Sequence, residues 1–386
     1  MSVVTPQGFR AAGVAAGLKS TGGLDLAVVV NDGPAHAAAG VFTRNKVKAA
    51  PVLWTQQVLV TGRLRAVVLN SGGANACTGP EGFQTAHATA EKAAEVLGCG
   101  PIEVAVCSTG LIGKQLPRAA VLAGVASASA ALGDDAAAGL AAATAIMTTD
   151  TVAKQAALTD EAGWSIGGTT KGAGMIAPSM ATMLTVITTD AVVDAAVLDE
   201  ALRAAVRVSF DRLDVDGCMS TNDTVLVLAS GASGVAPDPV GFTSALTAVC
   251  RDLAQQMQAD AEGVTKRITV RVTGAATEDD AVTVARTVAR DSLVKTAIFG
   301  SDANWGRIAA AAGYADAAVD PDRLDVTVNG VQLCRGGVAA GGRSDADLSG
   351  KEVLVEVALG LGDGAADILT TDLSHAYVEE NSAYPS

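Results

Sequence analysis

The sequence predicts an α/β protein whose strands form a mixed sheet, or two sheets with helices on the outside. The strand candidates are short and β-branched, and several are flanked by Gly or Asn. The 42 glycines are spread among many short elements, which suits the tight turns of an α/β chain. Strands and helices do not alternate strictly. Strand-like segments around Trp164–Thr170 and Met183–Thr188 follow one another with no helix between, which argues against a doubly wound parallel sheet.

Taken in chain order, Leu26–Val30 and Arg65–Leu69 are apolar, β-branched runs of strand length. Gln84–Leu97 reads as a helix, with Gly98 placed where a left-handed residue closes a last turn. Val104–Cys107 is a strand. Pro117–Leu132 is a helix that opens on proline, where a missing N–H costs nothing, and ends before Gly133. Ala136–Met147 is helical because alanine has the best helix propensity. Beyond it come strands at Met183–Thr188 and Val225–Ala229, and helices at Asp194–Val208 and Val240–Met257. From about Arg267 to Ser386 the chain reads as a second, smaller α/β unit. It holds strands Arg267–Val272, Asp325–Val328 and Val353–Ala358, a helix Glu278–Asp291, and turn-rich stretches Gly313–Arg323 and Gly336–Gly350. Aromatic residues are only 3% of the chain, so the core is expected to be built from Ala, Val, Leu and Ile.

The formal net charge is −14, from 41 acidic against 27 basic residues. No basic stripe with interleaved aromatics is present, which argues against nucleic-acid binding. An acidic surface repels anionic membranes, and no run of about 20 apolar residues is available to span one. Met1–Arg10 lacks the apolar segment of a secretory signal, so a cytoplasmic protein is expected. The six cysteines form no CxxC and the three histidines stand alone, so no metal centre is expected; the thiols are expected to pack as small buried groups. No GxGxxG follows a strand, and Gly110-Leu-Ile-Gly113-Lys114 lacks the spacing of a phosphate-binding loop.

Candidate chemistry gathers at Lys171-Gly-Ala-Gly-Met-Ile-Ala-Pro-Ser-Met-Ala181-Thr182-Met-Leu184. A threonine that opens a strand is ordinary, because β-branched residues favour strands. Here it follows a loop rich in Gly, Met and Pro. Strain in such a loop can activate the Ala181–Thr182 amide towards attack by the threonine Oγ and an N→O acyl shift. Hydrolysis of the resulting ester would make Thr182 an N-terminal residue. It would then carry a nucleophile and its own base, since a free α-amine titrates near about 7.7–8.0. With three isolated histidines, no partner for a Ser–His pair is visible, and the Thr182 amine is the candidate base. The second candidate is Ser108-Thr109-Gly110, directly after the strand Val104–Cys107. It is either a plain turn or a loop whose N–H groups and hydroxyl form an oxyanion hole.

These residues resemble the ornithine acetyltransferases, the glutamate N-acetyltransferases of arginine biosynthesis of the ArgJ type. The resemblance rests on the Lys171–Leu184 run and Ser108-Thr109-Gly110-Leu-Ile-Gly113. Ala-Ile-Met147-Thr148-Thr-Asp150-Thr, Ser220-Thr-Asn222-Asp223-Thr and Glu262-Gly-Val-Thr-Lys266 follow in order, then Asn304-Trp-Gly-Arg307 and the tail from Tyr377 to Ser386. It covers essentially the whole chain, with departures at Ala261, Ala303 and Pro385.

The resemblance implies a four-layer α-β-β-α sandwich like that of the DmpA aminopeptidases, plus a smaller C-terminal α/β domain. It implies cleavage between Ala181 and Thr182 into an α fragment, residues 1–181, and a β fragment, residues 182–386. Two of each fragment are expected to assemble. Thr182 would be the acetyl-accepting nucleophile, with Thr109 and Gly110 at the oxyanion. Thr148, Lys171, Thr182, Glu262, Asn381 and Ser386 would line the substrate pocket, Asn381 and Ser386 by folding back from the tail. N2-acetylornithine would donate the acetyl group and glutamate accept it, with no metal or redox cofactor; acetyl-CoA stays open as a co-substrate. Lys171 could pair with the donor's carboxylate and Glu262 with its ammonium. Alternative functions for the same fold are an acyl-amino-acid hydrolase, in which water resolves the acyl-enzyme, and an uncleaved binding protein.

Overall fold

A computed structural model of the chain describes residues 2–177 and 183–383. The chain divides into two compact units. Of the described residues, the first comprises 2–177, 183–211 and 218–257, and the second comprises 212–217 and 258–383.

The first unit contains β1 (Phe9–Val14), β2 (Leu26–Asn31), β3 (Ala37–Phe42), α1 (Ala50–Leu59), β4 (Ala66–Asn70), α2 (Gly79–Leu97), β5 (Val104–Ser108), α3 (Arg118–Ala130) and α4 (Ala136–Ala145). It continues with β6 (Lys154–Thr159), β7 (Ser165–Lys171), β8 (Leu184–Thr189), α5 (Ala195–Arg207), β9 (Thr224–Ala229) and α6 (Pro239–Ala259). The strands form two sheets, ordered β1-β2-β4-β5 and β3-β9-β8-β7-β6. Both are mixed: β4 runs parallel to β5 and β8 parallel to β9, and the other pairs are antiparallel.

The inner strands β2, β4, β7, β8 and β9, and the edge strand β5, are buried along their whole length. Buried side chains of the two sheets, among them Val28, Val68 and Val106 from one and Val186, Leu226 and Leu228 from the other, merge into one core. The sheets therefore lie face to face. Helices α2 and α3 cover the outside of the first sheet. Gly124 of α3 lets that helix approach: a Cβ there would stand 3.1 Å from Leu26 Cδ1. Helix α6 covers the second sheet, where a Cβ on Gly168 of β7 would meet Leu253 at 3.1 Å, and α5 packs against β3. This is a four-layer α-β-β-α sandwich, the fold class expected.

The second unit contains β10 (Arg267–Ala275), α7 (Glu278–Arg290), α8 (Ser292–Phe299), α9 (Trp305–Gly313), β11 (Asp325–Val328), β12 (Val331–Arg335), β13 (Val338–Ala339), β14 (Glu352–Ala358), β15 (Gly364–Thr371) and α10 (His375–Ala383). Its sheet order is β13-β12-β11-β14-β10-β15. Burial alternates along β10 and β14, so one face of this sheet packs on a core shared with α7 to α9. Among the described residues, no helix is long and apolar enough to cross a membrane.

Three local expectations are corrected. Helix α3 starts at Arg118, with Pro117 in the capping position before it. Gly133 lies beyond that helix's cap at Ala131 and is no left-handed closure; instead its backbone pairs with Ala11. Cys107, Cys250 and Cys334 are buried thiols, but Cys77 and Cys218 are exposed, because both lie in loops outside the layers.

Candidate active site

The motifs meet where the two sheets of the first unit end together. In one sheet, Asn70 and Ser108 close the parallel pair β4–β5. In the other, Lys171, Leu184 and Thr224 lie side by side across β7, β8 and β9. Side chains tie these ends to each other. Asn222 Nδ2 donates to the Ser108 carbonyl at 2.8 Å, and Lys171 Nζ donates to Thr109 Oγ1 at 3.4 Å. Residues more than 60 positions apart in sequence are thus brought to one place by sheet pairing, without a local motif.

Thr109 and Gly110 follow β5 on a loop laced to the segment before α2. Gly73 N donates to the Thr109 carbonyl at 3.0 Å and Ala74 N to the Leu111 carbonyl at 3.0 Å. Gly110 has φ +120°, and a Cβ there would stand 2.6 Å from Gly73 N. Only glycine meets both demands. Thr109 is fully buried, with its hydroxyl turned towards Lys171.

Lys171 ends a strand that is buried throughout, so its ammonium needs a counter-charge. Asp150 supplies it, 3.9 Å away, and also accepts from Lys154 Nζ at 2.6 Å. The N–H groups of Thr148 and Gly172 complete the carboxylate's shell at 3.0 and 2.7 Å. Burial alone would raise the Asp150 pKa. The charges of Lys171 and Lys154, with the hydrogen bonds from Lys154 and Thr148, outweigh burial and hold it at about 2. Asp150 thus gathers two buried ammoniums, those of Lys154 and Lys171, at the end of β7.

Asp223 stands on the other side of β8. Its Oδ1 accepts the Met183 N–H at 3.0 Å. Its Oδ2 is buried and has no hydrogen-bond partner among the described residues. Burial pushes this carboxyl well above the ordinary carboxylate range, against the opposing pull of the Met183 N–H and of Lys171.

Of the sequence-predicted site residues, Thr109, Gly110, Thr148 and Lys171 therefore share one neighbourhood, organised by Asp150. Glu262 and Asn381 are partners within the second unit: Asn381 Nδ2 donates to Glu262 Oε2 at 2.9 Å and to the Tyr377 carbonyl at 3.0 Å. Helix α10, which carries Asn381, is fixed at its start by Ser374 Oγ donating to the Gly263 carbonyl at 2.5 Å. Gly263 must be glycine, since it has φ +61° and a Cβ would lie 2.1 Å from Tyr377 N. Ala181, Thr182 and Ser386 lie outside the described residues.

Sequence reasoning assigned no role to Asp150 or Asp223, although both stand inside quoted motifs. The available signal for Asp150 was Lys154, four residues later, together with a lysine in an otherwise uncharged strand. Among the described residues, no cluster of His, Cys, Asp and Glu suited to a metal ion occurs.

The chain is similar to proteins of known name along essentially its whole length. The profile of the ArgJ family matches residues 10–386. The arginine biosynthesis bifunctional protein ArgJ of Mycobacterium tuberculosis (strain ATCC 25618 / H37Rv) is 62% identical over 389 residues, spanning 100% of this chain and 96% of that protein. The protein of the same name from Streptomyces coelicolor is 58% identical over 386 residues, spanning 100% of both. Among solved structures, an ornithine acetyltransferase from Mycobacterium tuberculosis complexed with ornithine is 64% identical and covers 47% of this chain and 96% of its own, with a TM-score of 0.46. With a family match and high identity that both run through essentially the whole length, the chain belongs to the ArgJ family, the acetyltransferases of arginine biosynthesis.

Proposed function

We propose that this protein cuts itself between Ala181 and Thr182 and then carries acetyl groups on the Thr182 hydroxyl, from N2-acetylornithine to glutamate. The observation that carries the reading is the convergence of the Thr109–Gly110 loop, Lys171 and Asp223 on β8, whose first described neighbour, Met183, is bonded to Thr182. The Lys171 ammonium, hydrogen-bonded to the Thr109 hydroxyl, supports a site that stabilises a developing negative charge.

In this reading the free Thr182 amine takes the hydroxyl proton as Oγ attacks the acetyl carbonyl. The oxyanion is stabilised by donors of the Thr109–Gly110 loop. Its collapse breaks the C–N bond, and the departing ornithine amine takes up the proton held by the Thr182 amine. Glutamate's amine then attacks the ester, and the same steps in reverse return Thr182 to its starting form. Thr148 and Lys171 are assigned to the donor's carboxylate end. Glu262, with Asn381 bonded to it, is assigned to the donor's ammonium; Ser386 completes the set. The family resemblance supports an assembly of two α and two β fragments in the cytoplasm, and acetyl-CoA as an additional acetyl source.

The testing experiment incubates purified protein with N2-acetylornithine, with and without glutamate. Ornithine release is expected to stop after one equivalent per active site without glutamate and to continue with it. Continued release that ignores glutamate would contradict acetyl transfer and favour water as the acceptor.

A further inference from the structure

The connection between β1 and β2, residues 15–25, has no assignment in acetyl transfer, yet the fold fixes it beside the Thr109–Gly110 loop. Asp25, fully buried, ties it down. Its carboxylate accepts the N–H groups of Ala16 and Leu18 at 2.6 Å and of Lys19 at 3.0 Å, and its carbonyl accepts from Ser71 N at 2.9 Å. Two glycines then let the backbones stack. Gly72 has φ +107°, and a Cβ there would stand 2.8 Å from the Leu18 carbonyl oxygen. A Cβ on Gly110 would in turn stand 2.9 Å from the Gly72 carbonyl carbon. Leu18, Gly72 and Gly110 therefore lie one against the next, and Lys19 follows directly.

The Lys19 ammonium is half-buried and has donors to spare. It donates to the Leu24 carbonyl at 3.0 Å and forms no ion pair among the described residues. An ammonium carries three N–H donors, so most of its capacity is unused. Burial lowers its pKa by more than Asp25 and Asp150 raise it, which leaves the charge short of compensation. Neither carboxylate is at liberty to make up the difference. Asp25 is engaged by three backbone N–H groups, and Asp150 by Lys154, Lys171 and the N–H groups of Thr148 and Gly172.

The substrates of the proposed reaction carry a suitable anion. In N2-acetylornithine and in glutamate alike, a carboxylate sits on the carbon that bears the reacting nitrogen. Ordinary bond lengths keep it within about 4 Å of that nitrogen, and so beside the loop that would stabilise the oxyanion. Lys171, the cation assigned to this carboxylate above, already donates to the Thr109 hydroxyl and faces Asp150.

We propose that Lys19 is a second cationic binding residue for the α-carboxylate that acetyl donor and acceptor share, an inference that rests on the acetyl-transfer reading above. Its unused N–H groups bond the carboxylate, and the incoming charge supplies the compensation that Asp25 and Asp150 leave incomplete. A substrate without that charge gains nothing from Lys19.

The test measures acetyl transfer by the wild type, Lys19→Met and Lys19→Arg, with N2-acetylornithine and with its carboxamide as donors and glutamate as acceptor. Lys19→Met keeps the length of the side chain but loses the charge. Its kcat/KM is expected to fall about ten- to hundredfold for N2-acetylornithine and for glutamate, chiefly through KM, the range of a hydrogen bond between charged groups. With the carboxamide, Lys19→Met and the wild type are expected to agree within about threefold. Lys19→Arg, which restores the charge, is expected to recover N2-acetylornithine use to within about fivefold of the wild type. A Lys19→Met enzyme within about threefold of the wild type on N2-acetylornithine would overturn the proposal. So would an equal loss on the carboxamide, which would show that Lys19 shapes the loop instead of binding the charge. Wild-type protein that releases ornithine without passing acetyl to glutamate would overturn the acetyl-transfer reading, and this assignment with it.

Discussion

Thr182→Ala is expected to yield a single chain of 38.3 kDa with no measurable acetyl transfer. The substitution removes the hydroxyl that starts the acyl shift, so the peptide bond before residue 182 stays intact. An intact bond also means no α-amine. One missing oxygen therefore removes both nucleophile and base from the acetyl-transfer step. Groups that act as a unit show this non-additivity, and losing a nucleophile of this kind costs on the order of a millionfold in turnover. The fold should survive. Strand β8 is buried from Leu184 to Thr189 and is held by β7 on one side and β9 on the other. Circular dichroism and a thermal midpoint close to the wild type's, beside a flat ornithine-release trace, check this. Residual turnover within about a hundredfold of the wild type would show that another group can carry the acetyl.

Asp150→Ala is expected to have the largest effect on stability. Asp150 is enclosed, with Lys154 at 2.6 Å and Lys171 at 3.9 Å. Removing it takes a carboxylate away from two buried ammoniums and an acceptor away from two backbone N–H groups, those of Thr148 and Gly172. Breaking a buried pair from one side typically costs about 3–5 kcal/mol, a large part of a domain's stability. A urea melt of the first unit's transition checks this; a shift below about 1 kcal/mol would show that water or the lysines' other contacts compensate.

Acid should act on the same group. Its folded pKa of about 2 lies below the ordinary 3.8, so the contribution is fully present above the unfolded value and is lost as pH falls through the folded one. The wild type is expected to lose about 2 kcal/mol of stability from this group between about pH 4 and pH 2, and Asp150→Asn should lack that component.

Much of the framework was legible because buried strands write themselves as β-branched runs. β2, β4, β5 and β9 were readable this way, each to within a residue or so of its observed ends. The strands β1 and β3 were not. Their sequences, Phe-Arg-Ala-Ala-Gly-Val and Ala-Ala-Ala-Gly-Val-Phe, carry little strand preference, and they are strands because β2 and β9 pair with them along their full length. Helix α1 was missed for a similar reason. It contains Val, Trp and Thr, and it is fixed by tertiary bonds, Trp54 Nε1 to the Val104 carbonyl at 3.0 Å and Thr55 Oγ1 to the Val106 carbonyl at 2.7 Å.

The candidate site divides in the same way. Thr109 and Gly110 stood out because a hydroxyl and a glycine directly follow a strand, whereas Lys171 was reached through the family resemblance. Asp150 and Asp223 did not, because an acidic residue in a sequence carries no mark of burial. Only the folded chain encloses one between two lysines and leaves the other with an oxygen unpaired among the described residues.

In the proposed mechanism the active site forms when the bond between Ala181 and Thr182 is cut. Intact-mass measurement of purified wild-type protein under denaturing conditions tests it most directly. Two species are expected, with masses matching residues 1–181 and residues 182–386, the second beginning at Thr182. A single species with the mass of the whole chain, in a preparation that transfers acetyl groups at full rate, would contradict it.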